Sequence, residues 1–286
     1  MRATLLRHAA ALSSALGVGH AAIEYARASV AAWETADDPR GLADALRVMA
    51  MVAADLGDLD EARAAASRSL EIAEHTGDAR QAREARHELA FVEAQGGDLG
   101  TSLRLLEANA SAMRHGGDRP GLAATLGNIG QLRRELGDLD GAEAAARESM
   151  EIVRTLHDDG SLASILATLA EIVAAQGRLD EGEALALEGL GYASRAGARR
   201  ELPPILDVLG VIRDLRGDHE GGVRLVAIAY AIRRGGAATG RGPEVDELLP
   251  GARDALGDAG LEAAWQAGLA IDPDEALGEL LGGGPA

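Results

Sequence analysis

"GDLDEA" occupies residues 57–62 and "GDLDGA" residues 137–142, with looser versions, "GDLGTS" and "GRLDEG", at 97–102 and 177–182. A polar turn that returns at fixed spacing marks an internal repeat, which has to be read before any single motif. Glycine stands at 17, 57, 97, 137, 177 and 217, six times at a spacing of 40 residues. Seven residues earlier lie Ala10, Ala50, Ala90, Gly130, Ala170 and Gly210, all tiny. Five residues later come Ala22, Ala62, Ser102, Ala142, Gly182 and Gly222, and twelve later Ser29, Ser69, Asn109, Ser149, Gly189 and Ala229.

Within each unit the apolar residues recur at intervals of three and four. Leu122, Leu126, Ile129 and Leu132 precede one glycine, and Leu162, Leu166, Leu169 and Ile172 match them one unit later. That spacing makes one face of an amphipathic helix. The stretch after the glycine, such as "DEARAAASRSLEIAEHTGD" from residue 60, reads as a second helix. The glycine supplies a strain-free turn after the first helix. Asp60 or Asp140 is expected to cap the second, with Glu143 and Glu183 completing capping boxes.

Composition agrees. Hydrophobic residues make up 47% of the 286, but aromatic residues only 2%. Alanine and leucine therefore fill the core, which favours close-packed helices over a sandwich of strands. The 46 acidic residues outnumber the 28 basic ones, all arginine, for a formal charge of -18. Such a chain repels phosphate backbones, so direct nucleic-acid binding is not expected. The absence of lysine removes Schiff-base chemistry, and the absence of cysteine removes disulfides, thiol nucleophiles and thiolate metal sites. "MRATLLRHAAALSSALG" at the N-terminus reads as helix rather than signal peptide, and no run reaches the length of a membrane span. A cytoplasmic location is expected.

The repeat resembles the tetratricopeptide repeat, whose pattern Leu126, Ile129–Gly130, Gly137 and Ala142 reproduce. It departs in length, 40 residues against about 34, and in having Arg133 where an aromatic residue is usual. The closing stretch "DALGDAGLEAAWQAGLAIDPDEAL", residues 254–277, is similar to the end of bacterial signal-transduction ATPases and of LuxR- and SARP-type transcriptional regulators. Ala264–Trp265, Gly268 and Glu275–Ala276 carry that likeness, while Leu261 replaces the usual aromatic.

The expected fold is all-α: a right-handed superhelix, or α-solenoid, of about six helix pairs over residues 1–236, with a C-terminal helical cap and tail over 237–286. Asp272, Pro273 and the acidic pair Asp274–Glu275 form a helix start within that cap. The resemblance implies a non-catalytic sensor or interaction arm. The chain is then either a stand-alone descendant or the C-terminal remainder of a longer regulator, and a first helix starting at Met1 without a capping turn points to the latter.

Sharper motifs fail for want of context. "GVGHAA" at 17–22 has dinucleotide-site spacing but follows a helix rather than a strand. "GGAATGRG" at 235–242 offers Arg241 where a phosphate loop needs lysine, and reads as a connector. His75 and His115 fall near the ends of successive second helices, where a dipole interaction is the expected role rather than metal binding. No nucleophile–base–acid set can be assembled, so neither enzyme activity, nor a cofactor, nor a metal is expected.

Tyr192 and Tyr230 align with aliphatic core positions, whereas Phe91 aligns with Met51, Gln131, Glu171 and Val211. A mixed set of that kind is expected on the inner, partner-facing side of the first helices. The candidate binding residues there are Asp44, Arg47, Glu84, His87, Phe91, Gln131, Arg134, Glu171, Asp207 and Asp214. Their acidic excess suits a basic protein or peptide, with Phe91 as apolar anchor. A small-molecule inducer held inside the superhelix is the alternative, with an enzyme a remote third; no membrane partner is expected.

Overall fold

A left-handed backbone residue occurs at almost every twentieth position, and this spacing sets the architecture. Gly17, Gly57, Gly77, Gly97, Gly117, Gly137, Gly177, Gly197 and Gly217 all have positive φ, and so do Asp37 and His157. The 40-residue repeat is thus two half-repeats, each one helix and one turn. The second series of turns, at 37, 77, 117, 157 and 197, escapes a search for glycine because Asp37 and His157 interrupt it.

The computed structural model describes residues 1–234 and 244–282, so the stretch at 235–242 lies outside the described residues. All regular structure in the described residues is helical. The chain divides into two compact units, Met1–Asp118 and Arg119–Ala286. The first contains α1 (Arg2–Ala15), α2 (Gly19–Ala36), α3 (Pro39–Asp55), α4 (Leu59–His75), α5 (Ala79–Gln95) and α6 (Leu99–Gly116). The second contains α7 (Arg119–Glu135), α8 (Leu139–Leu156), α9 (Asp159–Ala175), α10 (Leu179–Ala196), α11 (Leu202–Leu215) and α12 (His219–Arg233). It ends in α13 (Glu244–Leu248), α14 (Ala252–Leu269) and α15 (Pro273–Leu280). Each odd-numbered helix up to α11 pairs with its successor.

At the first turn of each pair the backbone closes as a Schellman motif. Asp58 N–H donates to Ala53 O and Gly57 N–H to Ala54 O, both at 2.9 Å. The next residue caps the following helix: the Asp58 carboxylate accepts from Glu61 N–H at 3.1 Å, and that of Asp138 from Gly141 N–H at 2.9 Å. This corrects the expected caps. Asp60 and Asp140 sit inside the first helical turn, because the residue after the left-handed glycine is the last one with non-helical backbone. Glu143 does not reach back to a cap either; it pairs with Arg147 and Arg178.

Small residues in register let the two helices of a pair touch. A Cβ on Gly182 would lie 3.1 Å from Ala170 O, and one on Gly222 only 2.7 Å from Gly210 O. The positions seven before and five after the turn glycine are therefore one contact seen from both sides. The third register line carries a buried tie. Ser29 Oγ donates to Ala3 O at 2.9 Å, Ser69 Oγ to Ala43 O at 2.8 Å, Asn109 Nδ2 to Arg83 O at 2.9 Å and Ser149 Oγ to Ala123 O at 2.7 Å.

The C-terminal helices cover the last pair. Trp265 of α14 is fully buried with Val223, Val226, Ala227 and Tyr230 of α12, and its ring centroid lies 5.4 Å from that of Tyr230. A Cβ on Gly268 would meet Arg224 O at 2.6 Å, so glycine permits the close crossing of α14 and α12. Ala276 and Leu277 of α15 join the core of Leu225 and Ile228. Asp272 caps α15, accepting from the N–H groups of Asp274 and Glu275, with Pro273 in the first turn as expected.

Candidate partner-binding face

Residues thirteen, ten, six and three before each turn glycine share the face of a first helix that its own pair leaves uncovered. In the first unit this face brings together five of the candidates. Arg47 of α3 approaches Glu84 of α5, Nε to Oε2 3.6 Å. Asp44 Oδ1 accepts from Gln81 Nε2 at 3.0 Å, and the same amide nitrogen donates to Arg40 O at 2.9 Å. Glu84 also pairs with Arg80 at 2.7 Å. Phe91 and His87 are exposed on α5, Phe91 at 47%, so the ring is a surface group and not core. By contrast Tyr230 is buried and Tyr192 partly buried against the core, as their register implies.

In the second unit the face is concave. A cavity of about 370 Å³ is lined by Gln131 and Arg134 of α7, Glu171 of α9 and Asp207 of α11. Four of the five remaining candidates therefore meet in one place. Arg134 reaches Glu171 at 3.3 Å, and Arg233 from the end of α12 pairs with Asp207. Arg134 Nε is buried without a hydrogen-bond partner. The groove wall strips enough water from Glu171 to raise its carboxyl above the ordinary value, with Arg134 opposing and Glu135 reinforcing. Its side chain nevertheless keeps 40% of its surface open, so the group stays reachable from solvent.

A second cavity of about 280 Å³ lies along α7 and α9 and shares Gln131, Ser164 and Thr168 with the first. The two form one groove that is amide- and hydroxyl-lined at one end. At the other end Ala167, Val208, Val211 and Leu248 supply apolar wall. Asp214 is not part of it: its Oδ1 lies 2.6 Å from His219 Nδ1 across the α11–α12 turn.

Sequence reasoning named none of Ser164, Thr168, Val208, Val211, Glu201, Arg233 and Leu248 as binding candidates, although it aligned Val211 with Phe91. The first four were legible: Ser164 is the register equivalent of Asp44 and Glu84, Thr168 and Val208 follow Asn128 at successive 40-residue steps, and Val211 follows Glu171. Their small or apolar character hid them among core residues. Arg233 and Leu248 come from α12 and α13, and nothing periodic points to them.

Among the described residues no cluster of three His, Asp or Glu side chains could hold a metal ion, and no helix is long and apolar enough to cross a membrane. His75 and His115 occupy the last turns of α4 and α6.

Residues 81–155 match the tetratricopeptide repeat model. No curated protein matches the chain in sequence. Among solved structures it is similar to a Rap protein complexed with Competence and Sporulation Factor, at TM-score 0.69 and 15% identity, covering 98% of this chain and 76% of that one. The apo form of the quorum sensor NprR from B. thuringiensis gives TM-score 0.66 and 14% identity, covering 96% and 75%. A signal transduction ATPase with numerous domains from Pyrococcus horikoshii, which carries a tetratricopeptide repeat sensor, gives 0.67 and 13%, covering 92% of this chain but 44% of that one. The fold is a tetratricopeptide-like array of helix pairs, as expected from the repeat.

Proposed function

We propose that this chain is a regulatory interaction module that takes a protein or peptide into the groove of its second unit. The observation that carries this reading is the junction of two cavities along α7, α9 and α11, with polar groups at one end and an apolar wall at the other. A peptide needs such a surface: amides and hydroxyls for its backbone, a recess for one side chain. The neighbours in structure include a Rap protein complexed with Competence and Sporulation Factor, a quorum sensor, and a signal transduction ATPase with a tetratricopeptide repeat sensor. We extend the reading to a sensor arm in transcriptional control, in the cytoplasm and without catalysis of its own, on the likeness of residues 254–277 to the ends of bacterial regulators.

The partner is basic. Four carboxylates (Asp158, Glu171, Glu201, Asp207) and two arginines (Arg134, Arg233) line the groove. Two carboxylates are neutralised by those arginines, which leaves an excess of negative charge. In the first unit the exposed Phe91 ring, on the same helix as Glu84 and His87, offers apolar area as an additional contact. A small-molecule inducer is the second reading, favoured by the cavity of about 370 Å³, within the range of ligand pockets.

The test is a displayed peptide library panned on the full chain, followed by titration of selected peptides. Ser164 is exposed and lines both cavities, so Ser164→Trp fills the groove without entering the core. Peptides enriched in arginine or lysine, losing at least about tenfold in affinity to Ser164→Trp while the melting temperature holds, support the reading. Peptides indifferent to Ser164→Trp would place the binding surface elsewhere. Failure to select any peptide, with saturable binding of a small molecule in the groove, would favour the inducer.

A further inference from the structure

Ion pairs tie successive second helices together at one register position. Arg27 of α2 reaches Glu61 of α4 at 2.7 Å, and Arg147 of α8 reaches Glu181 of α10 at 2.8 Å. One repeat after Arg147 and Glu181 stand Leu187 and Gly221. A leucine and a glycine have replaced the arginine and the glutamate, so this bridge is missing between α10 and α12. A cavity of about 450 Å³ lies there, walled also by α11 and α15.

Leu187 of α10, Leu209 of α11, Leu225 and Ile228 of α12 and Leu280 of α15 make most of the lining apolar. Two of its four charged residues already have partners: Glu183 pairs with Arg216 at 2.6 Å, and Arg224 with Glu220 at 2.9 Å. Arg213 is different. Its register line is core in α3 and α9, where Ala53 and Val173 are fully buried. Where the line carries a charge before Arg213, that charge is held. Glu93 pairs with Arg63 at 2.9 Å, and Arg133 donates to the carbonyl of Gly141 at 3.2 Å. Arg213 is half-buried, and among the described residues nothing pairs with its guanidinium. Glu279, the fourth charge, is exposed and does not pair with it either. A guanidinium drawn into an apolar recess costs free energy until an anion meets it.

We infer that this cavity binds a medium-chain fatty acid, its carboxylate on Arg213 and its aliphatic chain along Leu209, Leu225 and Ile228. A guanidinium takes a carboxylate through two parallel N–H donors, which gives the head group a fixed place. The volume of about 450 Å³ lies within the range of small-molecule pockets and suits a chain of roughly eight carbons. Glu279 in the lining opposes a second negative charge, so a monocarboxylate fits better than a phosphate. The site is separate from the peptide groove. Val208 and Val211 of α11 line the groove, whereas Leu209 and Arg213 of the same helix line this cavity.

The test is calorimetric titration of the full chain with octanoate, and with octanol as the uncharged analogue. Octanoate should bind saturably at one site, and octanol at least about tenfold more weakly. Arg213→Gln should weaken octanoate by about the same factor, leave octanol unchanged and leave the circular dichroism melt unchanged, since the guanidinium has no partner to lose. Leu187→Trp, at a half-buried wall position, should fill the cavity and abolish binding of both. No saturable binding of octanoate, or binding that octanol matches and Arg213→Gln does not alter, overturns the assignment. Tighter binding of leucine than of octanoate overturns the fatty acid in favour of a free amino acid, its ammonium group on Glu279.

Discussion

Ser149 Oγ donates a 2.7 Å hydrogen bond to the carbonyl of Ala123, joining α8 to α7 across 26 residues. The same offset recurs at Ser29, Ser69 and Asn109. Gly189 and Ala229 replace the donor in the last two pairs. At Gly189 a Cβ would lie 3.3 Å from Ala163 O and 3.2 Å from Leu166 Cβ, so the helices there are too close for a longer side chain. The tie therefore spaces the early pairs, and direct contact replaces it in the later ones.

Ser149→Ala should cost about 0.5–1.5 kcal/mol, the net worth of one buried hydrogen bond. Ser149→Val, which adds bulk and removes the donor, should cost more. Chemical denaturation of the two variants measures both. A neutral Ser149→Val would show that the tie does not set the spacing.

His157 closes the α8–α9 turn at φ 56°, a left-handed conformation that its neighbours in the series hold with glycine. A side chain there carries a strain of roughly 1 kcal/mol that glycine lacks. His157→Gly should therefore raise the melting temperature, the relief of strain exceeding the entropy that glycine adds to the unfolded chain. Gly137→Ala, at φ 82°, should lower it. Differential scanning calorimetry of the pair reads both signs.

Acid should weaken the second unit through Glu143. Hydrogen bonds from Arg178 first, and from Arg147 and Gln176, hold its carboxyl down at about 2 despite an opposing desolvation. Its folded value is depressed below the unfolded one, so its contribution is fully present above the ordinary glutamate range. That contribution is lost as pH falls from there through about 2. Glu143→Gln should remove up to about 3 kcal/mol at pH 7, less whatever solvent screening takes from the pair, and should flatten the acid limb of stability against pH. An unchanged acid limb would contradict the role given to this cluster.

The helix pairs and their small-residue contacts were legible because a 40-residue period repeats each physical requirement six times. A tiny residue at Ala62, Ala142 or Gly222 declares itself by recurrence. The caps were misplaced by two residues because Asp58 and Asp60 are chemically identical, and only the backbone angle after Gly57 tells them apart. The candidate face was half legible. Gln131, Arg134, Glu171 and Asp207 fell on register lines that mix polar and apolar residues, beside core lines that stay uniform. Asp214 shares that register but is held by His219, whose position depends on the turn. Arg233 and Leu248 enter the groove through tertiary packing alone, which leaves no periodic trace.

The central claim is that a partner lies along α7, α9 and α11. A photoreactive amino acid placed at Thr168, at the junction of the two cavities, and in a second variant at Glu151, on the exposed outer face, tests it most directly. Irradiation with a library-selected peptide, followed by mass spectrometry, should give cross-links from position 168 and none from 151. Cross-links from 151 with none from 168 would contradict it.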